Sequence, residues 1–355
     1  MSRPNLKKLF VGEQLDIVLR RPKDLIVMTR KYKDELTKLR IEEVLEKHKN
    51  ANEAEKEDFF AHNLRCYQLE KEGTEPRLIH EQTMPALTGD YIDPRLSYLI
   101  SRPKEFREAE IVSEAWGVNF VREGDLVISR LLGFDRNGNF FTVKYSQDGF
   151  TEIVIFGDGL QTEPKIDGFT DFRGFVNLDQ ENVLIGSSSM IIGFPGPASV
   201  PATGLWIFNT KTGEKFIFES GRPNIVKITD LQNESYLVQT DQIIFRLIFK
   251  DYKRKKMEMH PLTISPNKNW FDAAPPYYDH ETNTIWFIDK EILGFFDFRK
   301  WHVVKRETFE ELRGDRGVEI TGAFGKLYLN KTDRYKSHMF EVDAKELAKA
   351  IRKLG

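Results

Sequence analysis

The feature that most narrows what this chain can fold into is a period. Short apolar segments begin at residues 183, 236, 284 and 327, at intervals of 53, 48 and 43. The Asn or Asp residues that end the strand after each of them, Asn209, Asp251, Asp297 and Asp343, are 42, 46 and 46 apart. Each copy reads as an apolar strand, a polar turn and a second apolar strand, and the longest interval contains the Pro-rich insertion "PGPASVPATG". Upstream, "GDLVISRLLGFDRNGNFFTVKYSQDGFTEIVIF" (124 to 156) holds three strand-like runs joined by "DRNG" and "SQDG", two strong hairpin turns. A unit of forty-odd residues with three or four strands cannot bury its apolar faces alone. It buries them by stacking on the next copy.

The clearest copy is "GLWIFNTKTGEKFIF" (204 to 218). Here an apolar strand ends at Asn209, whose side chain can accept bonds from the turn backbone, and Gly213 supplies the left-handed residue the turn needs. From Asn209 to Glu214 the string resembles the strand-turn-strand hairpins of β-propeller repeat proteins, the WD-repeat and quinoprotein types among them. The Gly-His and Trp-Asp pairs of WD repeats are absent, as are the Trp-docking motifs of quinoproteins. The resemblance therefore implies architecture over residues 111 to 345 and no particular activity: a mainly β fold of five blades, or six if residues 76 to 123 add strands.

The first 75 residues read differently. Leu25, Met28, Tyr32, Leu36 and Leu39 recur at steps of three and four, and Phe60, Leu64 and Tyr67 at i, i+4 and i+7. These spacings predict a helical hairpin arm over 1–75 with one apolar stripe per helix. Residues 76–110, punctuated by Pro76, Pro85, Pro94 and Pro103, read as a linker or wrapping segment. At the other end, "DAKELAKAIRKL" predicts a helix over about 344 to 354, with Asp343 and Glu346 placed as a capping box and Leu347, Ile351 and Leu354 on one stripe, so that 346–355 forms a C-terminal helical unit.

Composition enters mainly as exclusion. A net charge of −2 gives no global field to recruit nucleic acid or anionic membrane. Twenty-seven Phe against seven Met and one Cys suits strands. The single Cys66 cannot form an internal disulfide, and no apolar run has the length of a secretory core or a membrane span, so the expected setting is the cytoplasm or an assembled particle such as a virion.

Candidate chemistry is sparse. "FDAAPPYYDHE" (271 to 281) gathers Asp272, Asp279 and Glu281 beside two tyrosines, and Asp93 stands before Pro94 ahead of the propeller. Pairs of carboxylates with aromatics for stacking are the equipment of glycoside hydrolysis. His62 and Cys66 are two ligands at most and make no zinc site. The run "KDYKRKK" (250 to 256) reads as a solvated hairpin tip. Without a cofactor or metal motif, the expectation is a non-enzymatic component of a larger assembly, a phage or virus particle being one. Leu25, Met28, Tyr32, Leu36, Leu39, Phe60, Leu64 and Tyr67 would then contact other protein subunits. The rival is a carbohydrate-active hydrolase with carboxylates at the propeller channel mouth, and convergence of carboxylates from different blades on that channel would favour it.

Overall fold

A computed structural model describes residues 4–32, 62–71, 75–84, 94–114, 118–122, 125–145, 150–157, 159–161, 165–167, 170–189, 204–219, 225–231, 235–240, 243–251, 256–264, 276–314, 318–333 and 336–355. Six antiparallel sheets follow one another around a ring, a six-bladed β-propeller.

Blades three, four and five are each four strands in chain order from the axis outward. Blade three uses Thr170–Asn177, Asn182–Ser189, Gly204–Asn209 and Lys215–Glu219. Blade four uses Ile225–Asp230, Ser235–Thr240, Ile243–Asp251 and Lys256–Ile264. Blade five uses Tyr277–Asp279, Thr284–Ile288, Ile292–Phe296 and Trp301–Lys305. Blade two begins in the same way, with Val118–Arg122, Asp125–Phe134, Phe140–Tyr145 and Phe150–Gly157. It adds two three-residue strands that both pair with its fourth.

Blade six takes three strands from the C-terminal part, Val318–Ala323, Lys326–Asp333 and Lys336–Asp343, and its outer strand, Lys7–Leu9, from the N-terminal part. Lys8 pairs with Phe340 at the centre of that seam. The first propeller strand therefore lies near residue 7, not residue 111.

Blade one corrects the expected N-terminal arm. Asp24–Tyr32 and His62–Glu70 are neighbouring strands in register, Met28 opposite Cys66. Leu25, Met28 and Leu64 are fully buried and Tyr67 half-buried, all within the blade. Leu36, Leu39 and Phe60 lie outside the described residues, and Tyr32 ends the strand. The helical reading failed because "LIVM" is buried on both faces of its sheet, which erases the alternation that marks a strand. Residues 76–110 are not a linker either. Arg77–Met84 is the blade's edge strand, and Pro94–Ile100 forms a short helix, α1. The buried Arg95 of α1 lies 3.6 Å from Asp16, which Arg30 also pairs with, so the helix is tied to the blade beneath it.

The core is divided into six apolar wedges among the described residues, one at each joint between blades. Leu237 and Ile244 meet Ile285, Phe287 and Phe296 where blade four packs on blade five. At the joint of blades five and six, Trp286 and Phe295 meet Leu327 and Val342. There helix α2, Ala344–Leu354, docks Leu347 and Ile351 as its spacing predicts, while Leu354 stays exposed. Asp343 caps α2, its carboxylate accepting from the Glu346 N–H at 2.9 Å.

One turn device recurs. Asn209 Oδ1 accepts from the Lys211 and Thr212 N–H groups at 3.0 and 2.8 Å, with Gly213 at φ +73°. Asp135, Asp179, Asp289 and Asp297 accept from turn N–H groups in the same manner. The side chain supplies acceptors that a tight turn lacks.

Candidate functional site

The ring brings the inner strands of the blades around an axial channel, with blade one facing blade four. The inner strand of blade one is Glu110–Glu114, which reaches its place only after the rest of that sheet has been laid down and pairs with Gln14–Arg20. Arg20 and Glu110 are direct cross-strand partners and form an ion pair. The Arg20 guanidinium also donates to the Gly322 carbonyl of blade six at 3.5 Å and lies over the Tyr277 ring of blade five, 5.3 Å from its centroid. Gly322 permits this approach: a Cβ there would stand 2.5 Å from the Tyr277 ring. Three blades are thereby joined at one guanidinium.

Lys227, on the inner strand of blade four, completes the cluster from the opposite side. It acts electrostatically on Glu110 and is itself influenced by Glu110, Arg20 and Glu319, the last from the inner strand of blade six. Arg20 and Glu110 keep 17% and 28% of their side-chain surface accessible. Although they sit deep in the molecule, they line a wetted channel and are not part of the dry wedges.

The protonation states follow from this geometry. Burial pushes the Glu110 carboxyl upward, but Arg20, with help from Lys227, outweighs it and holds the group below the usual carboxylate range. For Lys227, burial is the largest influence and lowers its pKa. Glu110 and Glu319 oppose the shift and Arg20 adds to it, and the net result is an ammonium that gives up its proton more readily than an ordinary lysine's. Burial raises the Tyr277 phenol, so it remains a hydrogen-bond donor. Burial, and then Arg20, lowers His280 at the channel rim. The set offers a lysine whose ammonium is disfavoured, a permanent cation, an ionised carboxylate and a protonated phenol. That is a general base with groups able to stabilise developing negative charge.

Of the carboxylates singled out in the sequence, the two among the described residues serve elsewhere. Asp279 is buried, and its carboxylate accepts from the Glu281 and Thr282 N–H groups at 3.3 and 3.2 Å, which makes it another turn acceptor. Glu281 is exposed near Gly325. Asp93 and Asp272 lie outside the described residues. Sequence reasoning missed Arg20, Glu110, Lys227, Tyr277 and Glu319. A signal was present in "IVKIT" and "VEIT", where one charge interrupts an apolar strand, and what was lacking was the position of those strands at the axis. Cys66 is fully buried, and its thiol is pushed up to about 12 by burial, which leaves it inert. Among the described residues no three His, Cys, Asp or Glu side chains lie close enough to hold a metal ion, and no helix is long and apolar enough to cross a membrane.

No protein-family model matches the sequence, and no curated protein sequence matches it. Solved structures do. A gluconolactonase from Xanthomonas campestris is similar at 9% identity and a TM-score of 0.42, over 64% of this chain and 79% of that one. A second structure, described as a gluconolactonase candidate, is similar at 11% identity and a TM-score of 0.40, over 80% of this chain and 84% of that one. The extracellular domain of a hybrid two-component system from B. thetaiotaomicron is similar at 10% identity and a TM-score of 0.48, over 96% of this chain and 41% of that one. Likeness at this level concerns architecture. The expected assembly component of a phage or virus particle is corrected at the arm it relied on: the described part of that arm is the interior of blade one.

Proposed function

We propose that this propeller is a hydrolase that admits a small carbohydrate-derived substrate to its axial channel. The observation that carries the reading is the convergence of Arg20 and Glu110, Lys227, Tyr277 and Glu319 from blades one, four, five and six on one wetted passage. Carboxylates from different blades are among them, as the hydrolase alternative requires.

The protonation states refine the type of bond. A glycosidase needs one carboxyl kept protonated as its acid, and Glu110, paired with Arg20, is held ionised. A lysine with a lowered pKa is suited instead, once deprotonated, to taking a proton from water for attack on an ester or lactone carbonyl. Arg20 and the Tyr277 hydroxyl then face the oxygen on which charge develops. Glu110 fixes Arg20 in place and partly offsets its charge.

The test is turnover of sugar-acid lactones and acetylated sugars, followed in a pH-stat, against aryl glycosides as controls. Hydrolysis of the esters and lactones is expected, with Lys227→Met lowering the rate about 10²- to 10⁴-fold, the range for loss of a general base. The rate should rise with pH as the Lys227 ammonium loses its proton, at a pH below that of an ordinary lysine. Wild-type turnover of glycosides alone, or full activity in Lys227→Met, would sink the reading.

A further inference from the structure

Between blades four and five lies a pocket with about 10 Å³ of room for water, partly open to solvent, with Lys227, Thr229 and Gln239 on its blade-four side and Pro276, Tyr278 and Ile285 on its blade-five side. Gln239 is directly across the sheet from Lys227, so their side chains share a face. Gln239 is 4% exposed, yet its Oε1 has no hydrogen-bond partner among the described residues. A buried carbonyl left without a donor is costly, so such an atom needs an explanation.

The size supplies one. About 10–15 Å³ is the space a single water needs, and a buried water is stable when two to four polar groups surround it. Lys227, Thr229 and Gln239 meet that requirement. The Tyr278 hydroxyl donates to Asn283 Oδ1 at 2.8 Å, which leaves its oxygen as a further acceptor. The other side chains on its wall among the described residues, Leu237, Ile244, Pro276 and Ile285, are apolar.

We infer that this cavity seats the water consumed in hydrolysis, with Gln239 Oε1 accepting one of its protons in a hydrogen bond and Lys227 removing the other. The inference rests on the hydrolase reading above and assigns Gln239 as a positioning residue. In the step, the neutral Lys227 amine takes a proton from the water while the water oxygen bonds to the acyl carbon, and the carbonyl π electrons move to its oxygen. When the C–O bond to the leaving alcohol breaks, that oxygen takes the proton from the Lys227 ammonium. Water and ester become acid and alcohol, and the lysine is restored. Depression of the Lys227 pKa by burial makes the amine available for this role.

The experiment pairs a high-resolution crystal structure of the unliganded protein with kinetics of Gln239→Met and Gln239→Glu. An ordered water within hydrogen-bond distance of Gln239 Oε1 is expected. Gln239→Met should lose that water and about 100-fold in kcat, the cost of misplacing a reacting group by about 1 Å, with KM little changed. Gln239→Glu retains an acceptor and adds an anion beside Lys227. It should recover much of kcat with its pH profile moved to higher pH, a change that a merely structural glutamine would not produce. If Gln239→Met fails to fold, the water and the Gln239→Glu profile still decide. An empty cavity, wild-type kcat in Gln239→Met or an unmoved profile in Gln239→Glu would overturn the inference while leaving the hydrolase standing. A wild-type protein that hydrolyses no ester or lactone would remove both.

Discussion

Blade five and blade one are built from the same kind of strand and assembled in opposite ways. In blade five the four strands run consecutively from Tyr277 to Lys305, and Asp279, Asp289 and Asp297 serve its turns. Blade one is spread from Gln14 to Glu114, and the strand nearest the axis is the last to be made. The regular blade is a packing unit that presents Tyr277 to the channel. The irregular one delivers both members of the Arg20–Glu110 pair. A regular blade can also carry charge to the axis, as blade four does with Lys227, but among the described residues only blade one supplies a cation and an anion as cross-strand partners from segments 90 positions apart.

The largest expected effect comes from breaking the regular blade. Trp286 is fully buried in the wedge between blades five and six. Trp286→Ala should cost about 3–5 kcal/mol in urea unfolding, the usual cost of emptying an aromatic site. A loss below about 1 kcal/mol would mean that the wedge closes up easily.

Next comes the irregular blade. Arg20→Met leaves Glu110 ionised without its partner and should cost about 2 kcal/mol, below the range for a fully buried pair because both side chains keep some water contact. The double variant Arg20→Met/Glu110→Gln should regain most of that in the same assay. If it did not, the pair's role would be packing rather than charge.

The smallest effect is confined to acid. Burial pushes Asp297 up, but the N–H groups of Lys300 and Arg299 and the side chain of His302 outweigh it, so its pKa falls from 3.8 to about 2. A depressed carboxylate stabilises the fold above its ordinary pKa, and that contribution disappears as pH falls through about 2. Asp297→Asn should therefore flatten the loss of melting temperature between pH 4 and 2. An unchanged acid limb would show that the turn does not depend on this charge.

Much of the fold was legible because the repeat is legible. The segments starting near 183, 236, 284 and 327 are the second strands of blades three to six, and Asn209 and Gly213 form the turn that their residue types require. Blade one was illegible for a physical reason. Strands such as Asp24–Tyr32 are buried on both faces, and an unbroken apolar run has no period that separates it from a helix. The channel site was harder still. Asp279 resembles a catalytic carboxylate in sequence and serves a turn, whereas Lys227 resembles a stray charge and becomes significant only when Glu110, 117 positions earlier, is found opposite it.

The pairing of Lys7–Leu9 with Lys336–Asp343 has a consequence for how the molecule comes into being. Five joints of the ring can form as their strands leave the ribosome, but the sixth waits for residues more than 300 positions downstream. During synthesis, strand Lys7–Leu9 and the outer face of blade one are without their mates for most of the chain's length, and the channel is an open groove. Ring closure is thus a single late event of high contact order, slow relative to the hairpins that precede it. The Arg20–Gly322 contact between blades one and six exists only after that event, so the cluster proposed to act on substrate is completed by the last step of folding.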